Sequence, residues 1–457
     1  MRKLRDSVLL VLASLLAIGT VATKASAQAT YTNLYTFDDL HGCSPEYPNL
    51  LAQGRDGNLY STTYFGGLDG HGVVFEITPT GAESVLYNFD ITQSYQPLSG
   101  LTLGTDGIFY GTTALYDPRG DPGTIFDITP NGNLTTLYIF DNNSDGFPYA
   151  PPIQGPGGFY GTTNSGIAYR ITPSGNFSLL SSIPSSAAPL LLGSDRNFYG
   201  TTALGGSYGE GTIFKITRTG VVTILSSFDG IQGEYPLAPV IQASDGNLYG
   251  TTFAGGRFGN ASSGGVVFRL TPRGKMTVLH NFPDPDYPND GSTPYAGVVE
   301  ATDGNLYGVT FQGGTSNQGV MFRIMPSGQY SIIHNFDGVN AGGPRSNPMQ
   351  HTNGKLYGMT TYGGGGDCGV VYSVDLGLSP FVKLVSSSGK VGQTGGILGQ
   401  GFTGTTAVSL DGTPTSFKVV SDTYLTATVP PGATTGYVTV TTPSGVLTSN
   451  VPFHVIQ

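Results

Sequence analysis

One phrase governs what this chain can become. Leu-Tyr-Gly-Thr-Thr, intact or with one substitution, recurs seven times, its tyrosine at Tyr60, Tyr110, Tyr160, Tyr199, Tyr249, Tyr307 and Tyr357. The spacings are 50, 50, 39, 50, 58 and 50 residues, and the surroundings repeat with the phrase. An apolar strand leads into a turn such as Asp245-Gly246, then come the tyrosine phrase, a glycine-rich loop, a third strand such as Val73–Ile77 and a fourth such as residues 84–89. Each unit reads as a four-stranded antiparallel meander, apolar on both faces. Such a sheet cannot stand in water alone, and stacking on like neighbours buries both faces. Four strands in about 40–50 residues is the pattern of a β-propeller blade.

The kelch pattern shares the length and the double glycine but relies on tryptophan, which this chain lacks, and the WD signature is missing too. The seventh unit runs through 370–374 and stops without a fourth strand, whereas residues 33–37 match the fourth-strand pattern ahead of the first complete set. A seven-bladed propeller spanning 28–377 and closed by this N-terminal strand follows, with no exposed sheet edge. Glycine and proline number 70 and 30 of 457 residues, about a fifth, well above ordinary usage. With 38% apolar residues the chain still has ample core material, which excludes disorder, and the absence of a Gly-X-Y period excludes collagen.

Residues 1–27 combine Arg2, Lys3 and Arg5 with the apolar run 8–22 and the small-residue site Ala25-Ser26-Ala27, the pattern of a cleaved export signal. The run is too short to span a bilayer, which takes about 20 residues, so a soluble exported protein is expected. Its destination is extracellular or the cell surface, with the periplasm as the other compartment open to it, and no membrane insertion of the mature chain. The mature chain would carry 16 basic and 29 acidic residues, a formal charge of −13, which makes nucleic acid and anionic membranes poor partners.

The Tyr-Gly-Thr-Thr copies, Gly-Gly loops and Val-Phe-x-Ile-Thr-Pro-x-Gly strands resemble the GloVer tandem-repeat family of exported bacterial proteins over roughly residues 31–377. That resemblance implies architecture and export but no catalytic residues. Residues 379–457 change to a Thr-, Val- and Ser-rich composition. The phrases Gly392-Gln393-Thr394-Gly395-Gly396, Gly399-Gln400-Gly401-Phe402 and Val429-Pro430-Pro431-Gly432-Ala433 look like an IPT/TIG domain, implying an immunoglobulin-like sandwich used as a spacer or interaction module.

A propeller collects its loops at one rim, where the fourth-to-first and the glycine-rich second-to-third connections meet. Candidate binding residues there are His41, Asp69, His71, Arg119, Arg257 and Arg345. Cys43 and Cys368 belong to the same region. A disulfide is the preferred reading in an exported chain, zinc held with His41 and His71 is the alternative, and His41 and His71 read more simply as solvated side chains than as catalysts. A second set lies three residues before each hairpin turn: Gln53, Leu103, Gln154, Leu192, Gln242, Glu300 and Gln350. Five of the seven are polar, which suits either a wet channel mouth or a plain strand end. The Asp-Gly turns, from Asp56-Gly57 onward, are read as hairpin chemistry.

No Gly-x-Ser-x-Gly elbow, His-Glu-x-x-His helix, phosphate loop or EF-hand loop is present, and no cofactor or resident metal is expected. The expected role is binding or scaffolding by a monomer that recognises a glycan or a surface protein through the loop-rich rim. A propeller-type polysaccharide lyase or glycoside hydrolase is the alternative and rests on fold analogy.

Overall fold

The computed structural model describes residues 29–45, 50–91, 96–113, 123–141, 146–185, 188–260, 262–283 and 290–456. Residues 1–27, with their export pattern, and Arg119 lie outside them. Within the described residues the fold is all-β, built from repeated four-stranded antiparallel sheets in a propeller-like arrangement, with no helix. Seven of these sheets fall in the repeat region. The first is typical: a two-residue inner strand (Ala52–Gln53), a second (Leu59–Thr63), a third (Val73–Ile77) and an outer one (Glu83–Asn88).

Burial explains the sequence pattern of each strand. The third strand is buried at four of five positions because neighbouring sheets cover both faces, so it is a continuous apolar run. The outer strand is half-exposed and tolerates polar residues. Core clusters join each sheet to the next all the way round. One sets Tyr60, Val74 and Phe89 against Phe109 and Phe126, and another sets Phe37, Met349 and Val371 against Leu59 and Phe75, joining the last sheet to the first. Each fully buried aromatic of this kind contributes about 1.5–3 kcal/mol.

The recurring phrase is spent on local bonds. The tyrosine hydroxyl donates to the turn aspartate four residues earlier: Tyr60 to Asp56 (2.7 Å), Tyr110 to Asp106 (2.7 Å), Tyr199 to Asp195 (2.9 Å), Tyr249 to Asp245 (2.7 Å) and Tyr307 to Asp303 (2.9 Å). The same carboxylates accept the backbone N–H two residues on, as Asp245 does from Asn247 (3.0 Å). The glycine is required by a close approach, since a Cβ on Gly250 would stand 2.7 Å from the Phe268 ring. The following threonine crosses to the next sheet, Thr251 donating to the Ala296 carbonyl (2.8 Å) and Thr201 to that of Ala238 (3.0 Å).

The sheet made by both ends of the repeat region pairs Thr30–Thr36 with Val370–Asp375. The strand begins three residues before the 33–37 pattern because Tyr31 anchors it. Its ring stacks on His334 at 3.8 Å and packs edge-on against Phe336.

After the repeats, two four-stranded sheets enclose a separate core of Ile397, Phe402, Val408, Leu425, Val440 and their neighbours. This sandwich sits on the rim of Asp-Gly hairpins. The Arg55 guanidinium lies 4.6 Å from the Tyr424 ring centroid, Thr423 donates to the Arg55 carbonyl (2.7 Å), and Gln400 donates to the Thr352 hydroxyl (2.9 Å).

Candidate functional site: an open loop rim and a capped channel

The loop rim is built from turns that point selected side chains outward. After three of the Phe-Asp pairs, the aspartate accepts the N–H groups of its own turn: Asp38 from Leu40 (3.0 Å) and His41 (2.8 Å), Asp229 from Gln232 (2.7 Å), and Asp337 from Val339 (3.0 Å) and Asn340 (2.8 Å). This capping holds an apolar residue at the tip, with Leu40, Ile231 and Val339 65%, 72% and 76% exposed. The glycine-rich loops dock beside these turns, through Gly67 N–H to Asp39 (2.8 Å) and Gly256 N–H to Gly230 (2.8 Å). They add Leu68, Tyr208 and Phe258, which are also exposed.

His41 pairs through Nδ1 with Asp38 Oδ1 at 2.8 Å. Although partial burial pushes the Asp38 carboxyl up, the hydrogen bonds from His41 hold it below the usual carboxylate range. Asp69 is exposed and His71 part-buried on the neighbouring loop. Arg257 is exposed beside Phe258, 5.6 Å from that ring, and its N–H is held by Asn281 (2.9 Å). Arg345 is committed elsewhere. Its guanidinium is clasped between the rings of Tyr295 (4.6 Å) and Phe311 (4.4 Å), a cation–π arrangement that anchors the loop.

Cys43 and Cys368 form a disulfide, with Cα atoms 4.4 Å apart. Asp39 lies against it, but with both sulfurs bonded to each other the four-ligand zinc arrangement has no thiolates to offer.

The polar set before the hairpin turns acts as clasps between sheets. Gln53 accepts the Thr352 N–H (3.2 Å), Gln154 that of Thr105 (2.8 Å), Gln242 that of Ser194 (2.8 Å), Glu300 that of Ser244 (2.8 Å) and Gln350 that of Thr302 (2.9 Å). Each reaches one sheet back around the ring, so these groups are occupied by the fold itself.

Two features escape the sequence reading. On the loop rim, Glu234 is buried and shares a hydrogen bond with Glu210. Burial, then the second carboxyl, push its pKa up to about 7. Glu210 carries no motif, and only the tertiary contact singles the pair out. The other is the channel along the inner strands, a cavity of about 330 Å³ walled by Leu51, Leu103, Ile241, Val299 and Met349 and closed at the hairpin end by Lys383, Leu384 and Leu398 of the sandwich.

Repeated four-stranded sheets of this construction define a propeller-like tandem-repeat protein. The chain belongs to the Gloeobacter/Verrucomicrobia repeat family, whose model matches residues 16–172, 119–288 and 257–401. No curated protein matches the sequence. Among solved structures it is similar to a fungal alcohol oxidase of the AA5 family in complex with copper, at 14% identity and TM-score 0.48 over 91% of this chain and 98% of that one. It is also similar to PorZ, a surface component of the type-IX secretion system of Porphyromonas gingivalis, at 12% identity and TM-score 0.47 over 92% of this chain and 60% of that one. A third likeness is to the PQQ-bound aldose sugar dehydrogenase of Streptomyces coelicolor, at 12% identity and TM-score 0.40 over 76% and 98%. At these values none of them bears on chemistry.

Proposed function

We propose that the protein is an exported seven-bladed propeller carrying an IPT/TIG-type, immunoglobulin-like sandwich, and that it binds a glycan or a surface protein through the loop rim as a monomer. The observation that carries this reading is the difference between the two rims. The hairpin rim bears the sandwich, through Arg55, Thr352 and Thr423, while the loop rim presents apolar tips and the aromatic rings of Tyr208 and Phe258 beside His71, Asp69 and Arg257. Exposed apolar groups ringed by polar ones are the composition of an interaction surface, and tyrosine and phenylalanine supply the stacking faces that a chain without tryptophan needs for sugars.

Among the described residues, the hydrogen-bonded carboxyl pair on this rim does not favour the lyase or hydrolase alternative. Glycosidase acids stand roughly 5–9.5 Å apart with the sugar between them, whereas Glu210 and Glu234 are in direct hydrogen-bond contact. A glycan array with the mature protein, read both for retention and for new reducing or unsaturated ends, separates binding from cleavage. Retention without new ends, weakened about tenfold or more by Phe258→Ala or His71→Ala, is the expected result. Cleavage products, or loss of binding only on Arg196→Ala in a hairpin of the other rim, would overturn it.

A further inference from the structure

The channel and its lysine carry an inference independent of the loop rim. The cavity is lined by residues beside and within the inner strands, among them Leu50, Gln53 and Asn347, together with Lys383 of the sandwich. Its walls are aliphatic, and its polar side chains are largely engaged: Gln53 clasps Thr352 (2.7 Å), and Asn347 accepts the Gly297 N–H (2.7 Å). Lys383 is different. It enters on the short strand Lys383–Leu384, which pairs with Leu398 and Ile397, and among the described residues no carboxylate lies within ion-pair distance of its amine. His351, which feels the Lys383 charge, is pushed below its ordinary value by burial, against the opposing effect of its bonds to Gly57 and Asn353, and as a neutral or cationic ring it offers the amine no negative charge.

We propose that the capped channel is a binding site for an aliphatic monocarboxylate, its carboxylate against the Lys383 amine and its hydrocarbon chain along the leucine and valine walls. A cation in an apolar enclosure without a counter-ion is costly, and burial already pushes the Lys383 amine below its ordinary value. A ligand carboxylate supplies the missing charge through a charge-assisted hydrogen bond, and a methylene chain replaces water along walls that cannot hydrogen-bond. A cavity of about 330 Å³ lies at the small end of the ligand-pocket range, which selects a medium-length chain over a lipid with two tails.

Calorimetric titration of the full mature chain with octanoate, octan-1-ol and butyrate tests this. Octanoate should bind about tenfold or more tightly than octanol and also more tightly than butyrate, and Lys383→Met, which keeps the apolar bulk, should abolish the preference for the acid. In the unmodified protein, octanoate but not octanol should protect Lys383 from reductive methylation, read by peptide mass spectrometry, a result that does not depend on any variant folding. Absence of saturable octanoate binding, equal affinity for acid and alcohol, or unprotected Lys383 at saturation would each overturn the proposal. None of these readouts involves the loop rim, so they stand or fall apart from the glycan result.

Discussion

At the scale of single residues, the tyrosine hydroxyl of each repeat is tied to a carboxylate that also caps its own turn, so one side chain fixes both hairpin geometry and strand register. Tyr249→Phe removes the 2.7 Å bond to Asp245 while keeping the buried ring. It should lower stability by about 1–2 kcal/mol, read as a fall in the denaturant midpoint at constant slope; no change would show the bond to be energetically idle. Glu234 gives a signed pH effect. In the folded chain it keeps its proton to about pH 7, against an ordinary value of 4.5, so between these values the folded state binds more protons than the unfolded one and stability falls as pH rises. Glu234→Gln should flatten the dependence of stability on pH between pH 5 and 8 and raise stability at pH 8 relative to the parent by on the order of 1 kcal/mol, read as a higher melting temperature. A parent whose stability is level across that range would refute the assignment.

The element that decides the ring is Thr30–Thr36, far in sequence from its partner. Its pairing with Val370–Asp375 and the Tyr31 stack on His334 cover the outer edge of the last sheet. Deleting residues 30–36 should expose the unpaired N–H and C=O groups of Val370–Asp375, depress the melting temperature by several degrees and promote self-association in light scattering. A truncated chain that melts like the parent and stays monomeric would contradict the role given to this strand. Where the outer strand pairs with the third, the register slips opposite Val74 and Phe75, and at the equivalent place in other sheets, a bulge of the kind that increases local twist.

Over the whole molecule, two devices hold distant parts together. The disulfide joins the turn after Thr30–Thr36 to the loop before Val370–Asp375, 325 positions apart in sequence, and backbone bonds from Ser44 to Cys368 (2.9 Å) and between Cys43 and Phe65 (2.7 and 3.0 Å) weave in the first sheet's loop. Cys43→Ser with Cys368→Ser should cost up to about 5 kcal/mol in the chain-entropy account. Titration of denatured, unreduced parent should find no free thiol, and two free thiols would reject the bridge. The second device is the sandwich, whose Thr423 and Gln400 bonds and Tyr424 contact span more than forty positions each and whose Lys383, Leu384 and Leu398 line the channel.

What the sequence determined by itself is what depends on neighbours along the chain. The Asp245-Gly246 turn, the Tyr249 phrase, the continuous apolar third strands and the break in composition after residue 376 are all local, so their periodicity is visible in the letters. The choice of partners across the ring was left to the tertiary structure. Gln53 does line the channel, but its amide also clasps Thr352, Gln350 is bonded to Thr302, and the Arg345 guanidinium lies against the rings of Tyr295 and Phe311. Glu210 and Lys383 are unremarkable letters. Only packing sets Glu234 against Glu210 and places Lys383 at the end of an apolar channel, because burial and the charges nearby are properties of folded space and leave no period in the sequence.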